Sequence, residues 1–263
     1  MKTESLSKQE LMQTAQDRME DLFKDGDLSD KQKLALTCRI LYDKGHDSGL
    51  AGQISCRGAD RNTFITQRLG LGFDEITVNN LLTVDQDLQP LDGVGMANPA
   101  NRFHTWVYKE RPDVNCIVHT HPTHIAALSM LEVPLIVSHM DTTGLYEDCA
   151  FLKEWPGVPV GNEEGITISK ALGDKRSILL AHHGQLVVGK TIEEACNLAI
   201  LIERAAKLQL LAMSAGDIKP LSPEVAREAH DWVSTDRRNK VNFAYYARQA
   251  LKNHPDCIQG AYS

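Results

Sequence analysis

The sequence has little positive charge and no long apolar run. Its 28 lysines and arginines are outnumbered by 35 aspartates and glutamates, which gives a net charge of -7. A nucleic-acid partner is not expected, because nucleic-acid recognition requires a basic surface. The strongly apolar stretches, such as Ile178 to Ala181, have the length of a strand and fall far short of the roughly 20 residues of a membrane-spanning helix. We therefore expect no membrane partner either.

The sequence also lacks CxxC pairs, and its polar first ten residues (MKTESLSKQE) are unlike a secretory signal. The six cysteines are scattered, and Cys38, Cys116 and Cys196 lie in apolar segments typical of buried thiols. A disulfide framework is not expected in a chain of this length without a signal. The pattern predicts a reduced, cytoplasmic protein, whose hydrophobic content of 42% is enough for one sizeable core.

Hydrophobic periodicity predicts helices mixed with strands. Short apolar runs bounded by turn residues predict strands over residues 52–57, 62–66, 81–84, 116–118 and 177–181. Apolar residues at helical spacing predict helices over residues 1 to about 25, 30–44, 102–109, 123–130, 162–172 and 191 to about 215. Strands mixed with helices in one block favour a single α/β domain.

The ends of the chain are predicted to be helical. The domain spans residues 1–263, with N-terminal helices at about 5–45, a turn at 25–27 between them, and a C-terminal helical tail at about 220–252. Trp232, Tyr245 and Tyr246 are expected to pack the tail against the domain. Thr191, followed three residues later by Glu194, predicts a capping box at the start of the long helix.

Two predicted strands end in histidine. His119 and His121 follow an apolar strand, and alternate residues of a strand point to the same side. A second apolar strand leads into His182, His183 and Gly184, where glycine allows a sharp turn. If the two strand ends converge, three neutral imidazoles would bind one divalent ion: zinc first, with manganese or iron(II) as alternatives.

The histidine pattern also has a simpler interpretation. A single HxH pair arises by chance, and the second strand would then end in one core and one surface histidine. The other histidines in polar contexts, His46, His230 and His254, are expected on the surface.

Four segments together resemble the class II aldolase/adducin family. They are Gly52-Gln53-Ile54-Ser55-x-Arg57, Arg102-Phe103-His104, Arg111-Pro112-Asp113-Val114 leading to His119-Thr120-His121, and Leu180-Ala181-His182-His183-Gly184. The resemblance spans roughly residues 30 to 215. It implies a three-layer α/β/α domain with a central mixed, mostly antiparallel sheet. It also implies a homotetramer with the active site near a subunit boundary.

The resemblance assigns roles to individual residues. His119, His121 and His183 match the family's metal ligands, and His182 matches a neighbour that does not bind the ion. Gly52, Gln53 and Ser55 match a turn near the substrate, and His104 matches a histidine that supports the ligands from behind. Arg68 is a candidate for an anionic substrate group, with a plain surface arginine as the alternative.

The sequence departs from the family's sugar-phosphate aldolases just before Arg102. Those enzymes carry Ser-Ser-Glu, in which the glutamate is the catalytic acid/base, whereas this chain has Asn98, Pro99 and Ala100. An alanine cannot transfer a proton, and the replacement resembles the adducin-like branch. We therefore look for the proton donor in His139 and Asp141, which follow an apolar run and stand two residues apart. The alternative is that both merely bond a loop or support the ligands.

Three functions fit these residues. The first is a metal-dependent carbon–carbon lyase, of decarboxylase or aldolase type, acting on a small hydroxy- or keto-acid or sugar-like substrate through a metal-stabilised enolate. The second is a non-catalytic, adducin-like binding module, which Ala100 favours and the absence of a basic tail disfavours. The third is a non-haem iron oxygenase, although no carboxylate obviously completes the usual iron-binding triad.

Overall fold

The computed structural model describes residues 5–22 and 28–259, so the turn predicted at 25–27 lies outside the described residues. The strands are β1 (Gln53–Arg57), β2 (Phe64–Gln67), β3 (Leu81–Val84), β4 (Pro90–Asp92), β5 (Cys116–Thr120), β6 (Cys149–Leu152), β7 (Ser177–Leu180) and β8 (Gln185–Gly189). The α-helices are α1 (Lys8–Leu22), α2 (Asp30–Asp43), α3 (Arg102–Glu110), α4 (Thr123–Ser129), α5 (Asn162–Leu172), α6 (Ile192–Met213), α7 (Pro223–Val233) and α8 (Asp236–Asn253).

All of these strands belong to one sheet with the order β4-β3-β2-β1-β5-β8-β7-β6. Neighbouring strands are antiparallel except β6 and β7, which are parallel. The mixed, mostly antiparallel sheet is therefore confirmed. β5 lies in the interior of the sheet between β1 and β8, so every one of its residues is buried.

The sheet has a helical layer on each face. Because strand side chains alternate between faces, Ile117 packs in the core beneath α3 and α5, whereas Val118 packs in the core beneath α2, α6 and α8. Burying apolar side chains on both faces stabilises this arrangement, at about 25 cal/mol per Å² removed from water. The predicted three-layer α/β/α domain is confirmed.

The capping box predicted for α6 is only half formed. The Thr191 hydroxyl accepts a hydrogen bond from the Glu194 N–H at 3.1 Å, as an N-cap should. The Glu194 carboxylate, however, accepts from the Lys190 N–H at 2.7 Å and pairs with the Arg176 guanidinium at 2.9 Å. The cation of Arg176 therefore draws the carboxylate away from Thr191.

The C-terminal tail, predicted to be helical at about 220–252, consists of two helices, α7 and α8. It is broken at Ser234, and Thr235 caps the new helix α8 by accepting from the Arg238 N–H. The expectation that Tyr245 packs the tail is wrong, because its side chain is 49% exposed, whereas Tyr246 packs against the core. The buried face of α8 consists of small residues and one phenylalanine, namely Phe243, Ala244, Ala247 and Ala250.

No helix in the described part of the chain is long and apolar enough to cross a membrane.

Candidate metal centre and active site

β5 and the turn between β7 and β8 bring three histidines together. The Nε2 atom of His119 lies 2.8 Å from Nε2 of His121 and 2.9 Å from Nε2 of His183. One ring nitrogen from each residue lies within 4.8 Å of the others. The convergence depends on β8, which separates β5 from β7 and sets the β7–β8 turn beside the end of β5.

The backbone fixes the tautomer of His119. Its Nδ1 atom lies 2.8 Å from the carbonyl oxygen of Gln185 on β8. Because a carbonyl can only accept, Nδ1 carries the proton and donates it, which leaves a lone pair on Nε2. A donated Nδ1–H that orients the ring is the usual arrangement of a metal-binding histidine.

The three imidazoles are held neutral by their surroundings. Burial lowers the pKa of His119 well below its ordinary value, and the neighbouring His121 and His183 lower it further. Burial also lowers the pKa of His121, and it lowers the pKa of His183 to about 3. Neutral imidazole is the form that binds metal, so the three residues fit a divalent transition metal.

The turn that presents His183 is built around two unusual positions. His182 adopts a left-handed conformation with φ 57°, and its Nε2 atom lies 3.0 Å from the Glu132 carboxylate, away from the other three rings. Gly184 does not have a positive φ, so it is not needed for a sharp turn as the sequence suggested. A Cβ atom on Gly184 would lie 2.6 Å from the carbonyl oxygen of Thr120 and 2.5 Å from Cδ2 of His121. Close approach to β5 is therefore what requires glycine here.

Two aromatic rings pack against the histidine cluster. The Phe103 ring meets His119 edge-on at a centroid distance of 5.0 Å. The half-buried Trp155 ring lies against His183 at 4.0 Å. The sequence reasoning missed Trp155, since a tryptophan between charged residues and a proline fits no strand or helix pattern, and its only signal was the residue type itself.

Glu203 holds the segment that follows His121. Its carboxylate on α6 accepts hydrogen bonds from the N–H groups of His124 and Ile125 at 3.1 and 2.9 Å, and it also contacts the His124 ring at 2.5 Å. These are the free N–H groups of the first turn of α4. Glu203 thereby anchors α4 directly behind the metal site. The sequence pattern did not identify Glu203 as a site residue. Its only signal was an acidic side chain within the apolar helix α6.

Gly52 and Gln53 lie beside His119. Gly52 has φ 102°, and a Cβ atom there would lie 3.1 Å from the carbonyl oxygen of His119. Gln53 pairs directly with His119 across β1 and β5, so both side chains point to the same face. The Gln53 side chain is 5% exposed, and its Oε1 atom has no hydrogen-bond partner among the described residues.

Ser55 and His104 lie deeper in the same layer. The Ser55 hydroxyl lies 2.8 Å from Nδ1 of His104 and 3.0 Å from the Tyr108 hydroxyl, and it is 2% exposed. Burial lowers the pKa of His104 to about 3, so its ring is neutral. His104 meets Phe103 edge-on, and Phe103 in turn meets His119. These contacts connect α3 to the metal site through packed rings.

The segment that the resemblance matches to the aldolases' Ser-Ser-Glu forms a short 3-10 helix, Pro99–Asn101. The Asn98 side chain caps it by accepting from the Ala100 N–H at 3.0 Å. Ala100 is half-buried and packs against the core beneath α3. Arg68 is half-buried as well, and its backbone forms a β-bridge with Ala97.

His139 and Asp141 lie on an exposed turn between α4 and β6. The Asp141 N–H donates to Nδ1 of His139 at 3.1 Å, and the Asp141 carboxylate binds the Arg204 guanidinium at 2.6 Å. Among the described contacts of these two residues, none joins them to the three clustered histidines. His139 is 56% exposed and Asp141 is 45% exposed, so both side chains are open to solvent.

The surface position expected for His46 is wrong. His46 is 2% exposed, and its Nδ1 atom lies 2.8 Å from the hydroxyl of Thr120, on the face of β5 opposite His119. Burial lowers its pKa to about 3. Its place in a polar turn after α2 concealed the long-range contact with β5. His230 and His254 are half-buried.

Comparison with known proteins finds relatives of this chain in sequence and in structure. The chain is 31% identical over 234 residues to the Meiotically up-regulated gene 14 protein of Schizosaccharomyces pombe, covering 83% of this chain and 91% of that protein. It is 31% identical over 199 residues to the 3,4-dihydroxyphthalate decarboxylase of Arthrobacter keyseri, covering 71% and 79%. The structure of an L-fuculose 1-phosphate aldolase from Glaciozyma antarctica superposes with a TM-score of 0.81 at 28% identity, covering 90% and 97%.

The family model described as Class II Aldolase and Adducin N-terminal domain matches residues 32–210. The matched segment includes all eight strands of the described sheet and all three clustered histidines. Aldolases of this family use a divalent metal and act on small molecules, and the histidine triad is a ligand set that can hold such an ion. The chain therefore belongs to the class II aldolase and adducin family.

Proposed function

We propose that this protein is a metal-dependent carbon–carbon lyase of the decarboxylase type, acting on a small hydroxy- or keto-acid. The observation that carries the proposal is the convergence of three neutral imidazole nitrogens within 4.8 Å. A divalent ion held by His119, His121 and His183 would be zinc, with manganese or iron(II) as alternatives, and would supply a Lewis acid for negative charge developing on a substrate oxygen. The three ligands are uncharged, so the ion would keep its full positive charge.

Decarboxylation suits the residues better than the aldol reaction of sugar phosphates. By the family resemblance, Ala100 occupies the position of the aldolases' glutamate acid/base, and it packs against the core. The Asn98 side chain caps the 3-10 helix, so it is not available to a substrate. Loss of carbon dioxide requires no base, because the electrons of the broken bond stay on the substrate. The protein then only has to return a proton to carbon. The Arthrobacter decarboxylase supports this choice.

The substrate would lie between the three histidines and the rings of Phe103 and Trp155. Gln53 offers an unpaired, buried Oε1 atom next to His119, which suits a hydroxyl donor on the substrate. The Trp155 ring beside His183 suits a flat or apolar part of the substrate and excludes water from it. Gly52 allows the backbone to approach the ligands, Ser55 positions α3 behind them, and Arg68 is the candidate cation for a carboxylate.

We assign proton return to His139, positioned by Asp141, in a neighbouring subunit of a homotetramer. Both side chains are open to solvent and make no described contact with the histidines of their own chain. The Asp141–Arg204 ion pair and the hydrogen bond from the Asp141 N–H to His139 hold the turn, while the His139 side chain stays 56% exposed. A site near a subunit boundary would bring such an exposed imidazole to the substrate of the next subunit.

Co-expression of two inactive variants tests the boundary assignment. His139→Ala keeps the histidine triad but loses the proton donor, and His119→Ala does the reverse. In a randomly mixed, cyclic assembly, about one quarter of the sites would combine an intact triad with an intact His139. Activity should therefore return to that level in the mixed protein.

The matched control is a mixture of His119→Ala with His183→Ala, in which no subunit has an intact triad. It should stay inactive. If the mixture of His139→Ala and His119→Ala is equally inactive while its subunits co-purify, His139 does not serve a neighbouring site.

Release of carbon dioxide is the direct test of the reaction. Protein loaded with zinc, manganese or iron(II) would be offered a panel of hydroxy- and keto-acids that includes 3,4-dihydroxyphthalate. We expect carbon dioxide from at least one acid, abolished by a chelator and restored by the ion. Formation of an aldehyde without carbon dioxide would indicate an aldolase instead, and oxygen consumption by the iron form would indicate an oxygenase. A protein that holds no metal and turns over no acid would leave the adducin-like binding module.

We also propose that the protein is cytoplasmic. All six cysteines are free thiols, and burial raises the pKa of Cys38, Cys116 and Cys196, so these thiols are poorly reactive. Free thiols in a folded core are typical of a reducing compartment.

A further inference from the structure

A cleft lies at the end of β1 that is farther from the histidine cluster. Gln53 at the start of β1 pairs with His119, whereas Arg57 at its end contributes to the cleft, about 13 Å further along at 3.3 Å per residue. The cleft has a volume of about 470 Å³ and lies between the turn that follows β1 and the outer face of α3. It is separate from the proposed active site, and its role does not depend on the reaction proposed there.

The cleft is strongly basic in an otherwise acidic protein. Four cations line it, Arg57, Arg61, Arg102 and Lys109, against the single carboxylate of Asp87. The whole chain carries a net charge of -7. Such a local excess of positive charge, enclosed by protein on several sides, attracts anions.

Arg57 and Arg61 are fixed in place by carbonyl oxygens. Arg57 donates to the carbonyl oxygens of Val114 at 2.8 Å and Tyr108 at 2.7 Å, and Arg61 donates to the carbonyl oxygen of Pro112 at 2.7 Å. Carbonyl oxygens orient a guanidinium but carry no net charge that could cancel its own. Burial, followed by the nearby charge of Arg61, lowers the pKa of Arg57, as expected for crowded cations.

The two cations on α3 are held only loosely, and Arg102 makes one long hydrogen bond, to the carbonyl oxygen of Gln86 at 3.4 Å. Arg102 lies 3.7 Å from the Asp87 carboxylate, which is 81% exposed, so the pair is loose. Lys109 places its ammonium 4.5 Å from the centroid of the Trp106 ring, and no described carboxylate pairs with it. The Trp106 indole N–H donates to the Asn162 side chain at 3.1 Å, which keeps the ring in position on the rim.

The base of the cleft is aromatic. Phe64 and Tyr108 are buried and stack with ring centroids 4.7 Å apart, and the Arg57 guanidinium lies over the Tyr108 ring. An apolar base beneath a ring of cations fits a ligand with an organic part and a multiply charged head. The small volume and the acidic remainder of the protein disfavour a nucleic acid.

We propose that this cleft binds a small phosphate or phosphate ester. Arginine guanidinium groups match the oxygens of phosphate in paired hydrogen bonds, and lysine adds a point charge. Arg57 and Arg61 would provide the fixed positive field, while Arg102 and Lys109 would close on the phosphate oxygens. Trp106 would contact the organic group of an ester.

Binding of inorganic phosphate and of phenyl phosphate tests the proposal. Both would be titrated at constant ionic strength into the His119→Ala variant, so that the metal site cannot contribute, with calorimetry and tryptophan fluorescence as readouts. We expect saturable binding that weakens roughly tenfold in Arg102→Ala and in Lys109→Ala, since each removes a charge-assisted contact. Tighter binding of phenyl phosphate would identify an ester as the ligand, and equal binding would identify free phosphate.

Lys207→Ala is the matched control, because it removes one exposed cation from α6 on the opposite helical layer. It should bind both probes like the parent protein. The proposal fails if binding does not saturate by about 10 mM, which is weaker than a specific small-molecule site. It also fails if Lys207→Ala weakens binding as much as Arg102→Ala, because the attraction would then be nonspecific.

Discussion

Replacing His119 or His183 by alanine is expected to leave the purified protein without its metal ion and without activity. In the proposed site each ring would supply one of three protein ligands, and loss of a residue that only supports a ligand already lowers metal affinity by about 10- to 100-fold. The effect of removing a ligand should exceed that range. Metal content per chain, measured by mass spectrometry after dialysis against metal-free buffer, is the readout.

His182→Ala provides the control for this prediction. His182 is adjacent to His183, but its ring contacts Glu132 and not the other histidines. The variant should therefore retain about one ion per chain. If His182→Ala loses metal as completely as His183→Ala, or if the unmodified protein takes up no zinc, manganese or iron, the three-histidine site is wrong.

Gly184→Ala is expected to damage both the fold and the metal site. The new Cβ atom would lie 2.6 Å from the carbonyl oxygen of Thr120, which is backbone of a strand in the middle of the sheet and cannot rotate away. It would also push the His121 ring, since Cδ2 lies 2.5 Å from the same position. We expect the free energy of unfolding to fall by about 2–3 kcal/mol, at the upper end for an overpacked interior. Metal content should fall as well.

Gly72→Ala is the matched control for that substitution. Its Cβ atom would also meet an atom at 2.6 Å, but this atom is the end of the Asp74 side chain, which can turn aside. Urea unfolding of both variants, with and without chelator, measures the difference. Equal stability of Gly184→Ala and the parent protein would mean that β5 and the β7–β8 turn can separate without cost, contrary to the packing described above.

Local patterns predicted much of the fold because they depend on nearby residues. Apolar strands ending in turn residues identified β1, β3, β5 and β7, and helical spacing identified α2. The same rules missed β8, whose five residues follow β7 after a short turn. They also missed β4, which is fully exposed and therefore carries no apolar pattern.

The candidate site was predictable only in part. Histidines at strand ends indicated His119, His121 and the His182-His183 pair, and the family resemblance selected His183 as the third ligand. Their convergence depends on the sheet order, which periodicity does not encode. Trp155 and Glu203 reach the site from a loop and from α6, and no spacing relates them to the histidines. Long-range contacts of this kind are set by tertiary packing, so only the assembled sheet reveals them.

The separation of the ligands along the chain has a consequence for the order of events in folding. His119 and His183 are 64 residues apart and meet only after β8 has paired with β5. Closing a loop of that length costs conformational entropy before any ligand can meet its partners. A nascent chain therefore has no complete binding site until β8 has been synthesised and paired. An ion bound by the proposed site would therefore be acquired by a nearly finished sheet, where it would slow unfolding rather than direct the search for the native topology.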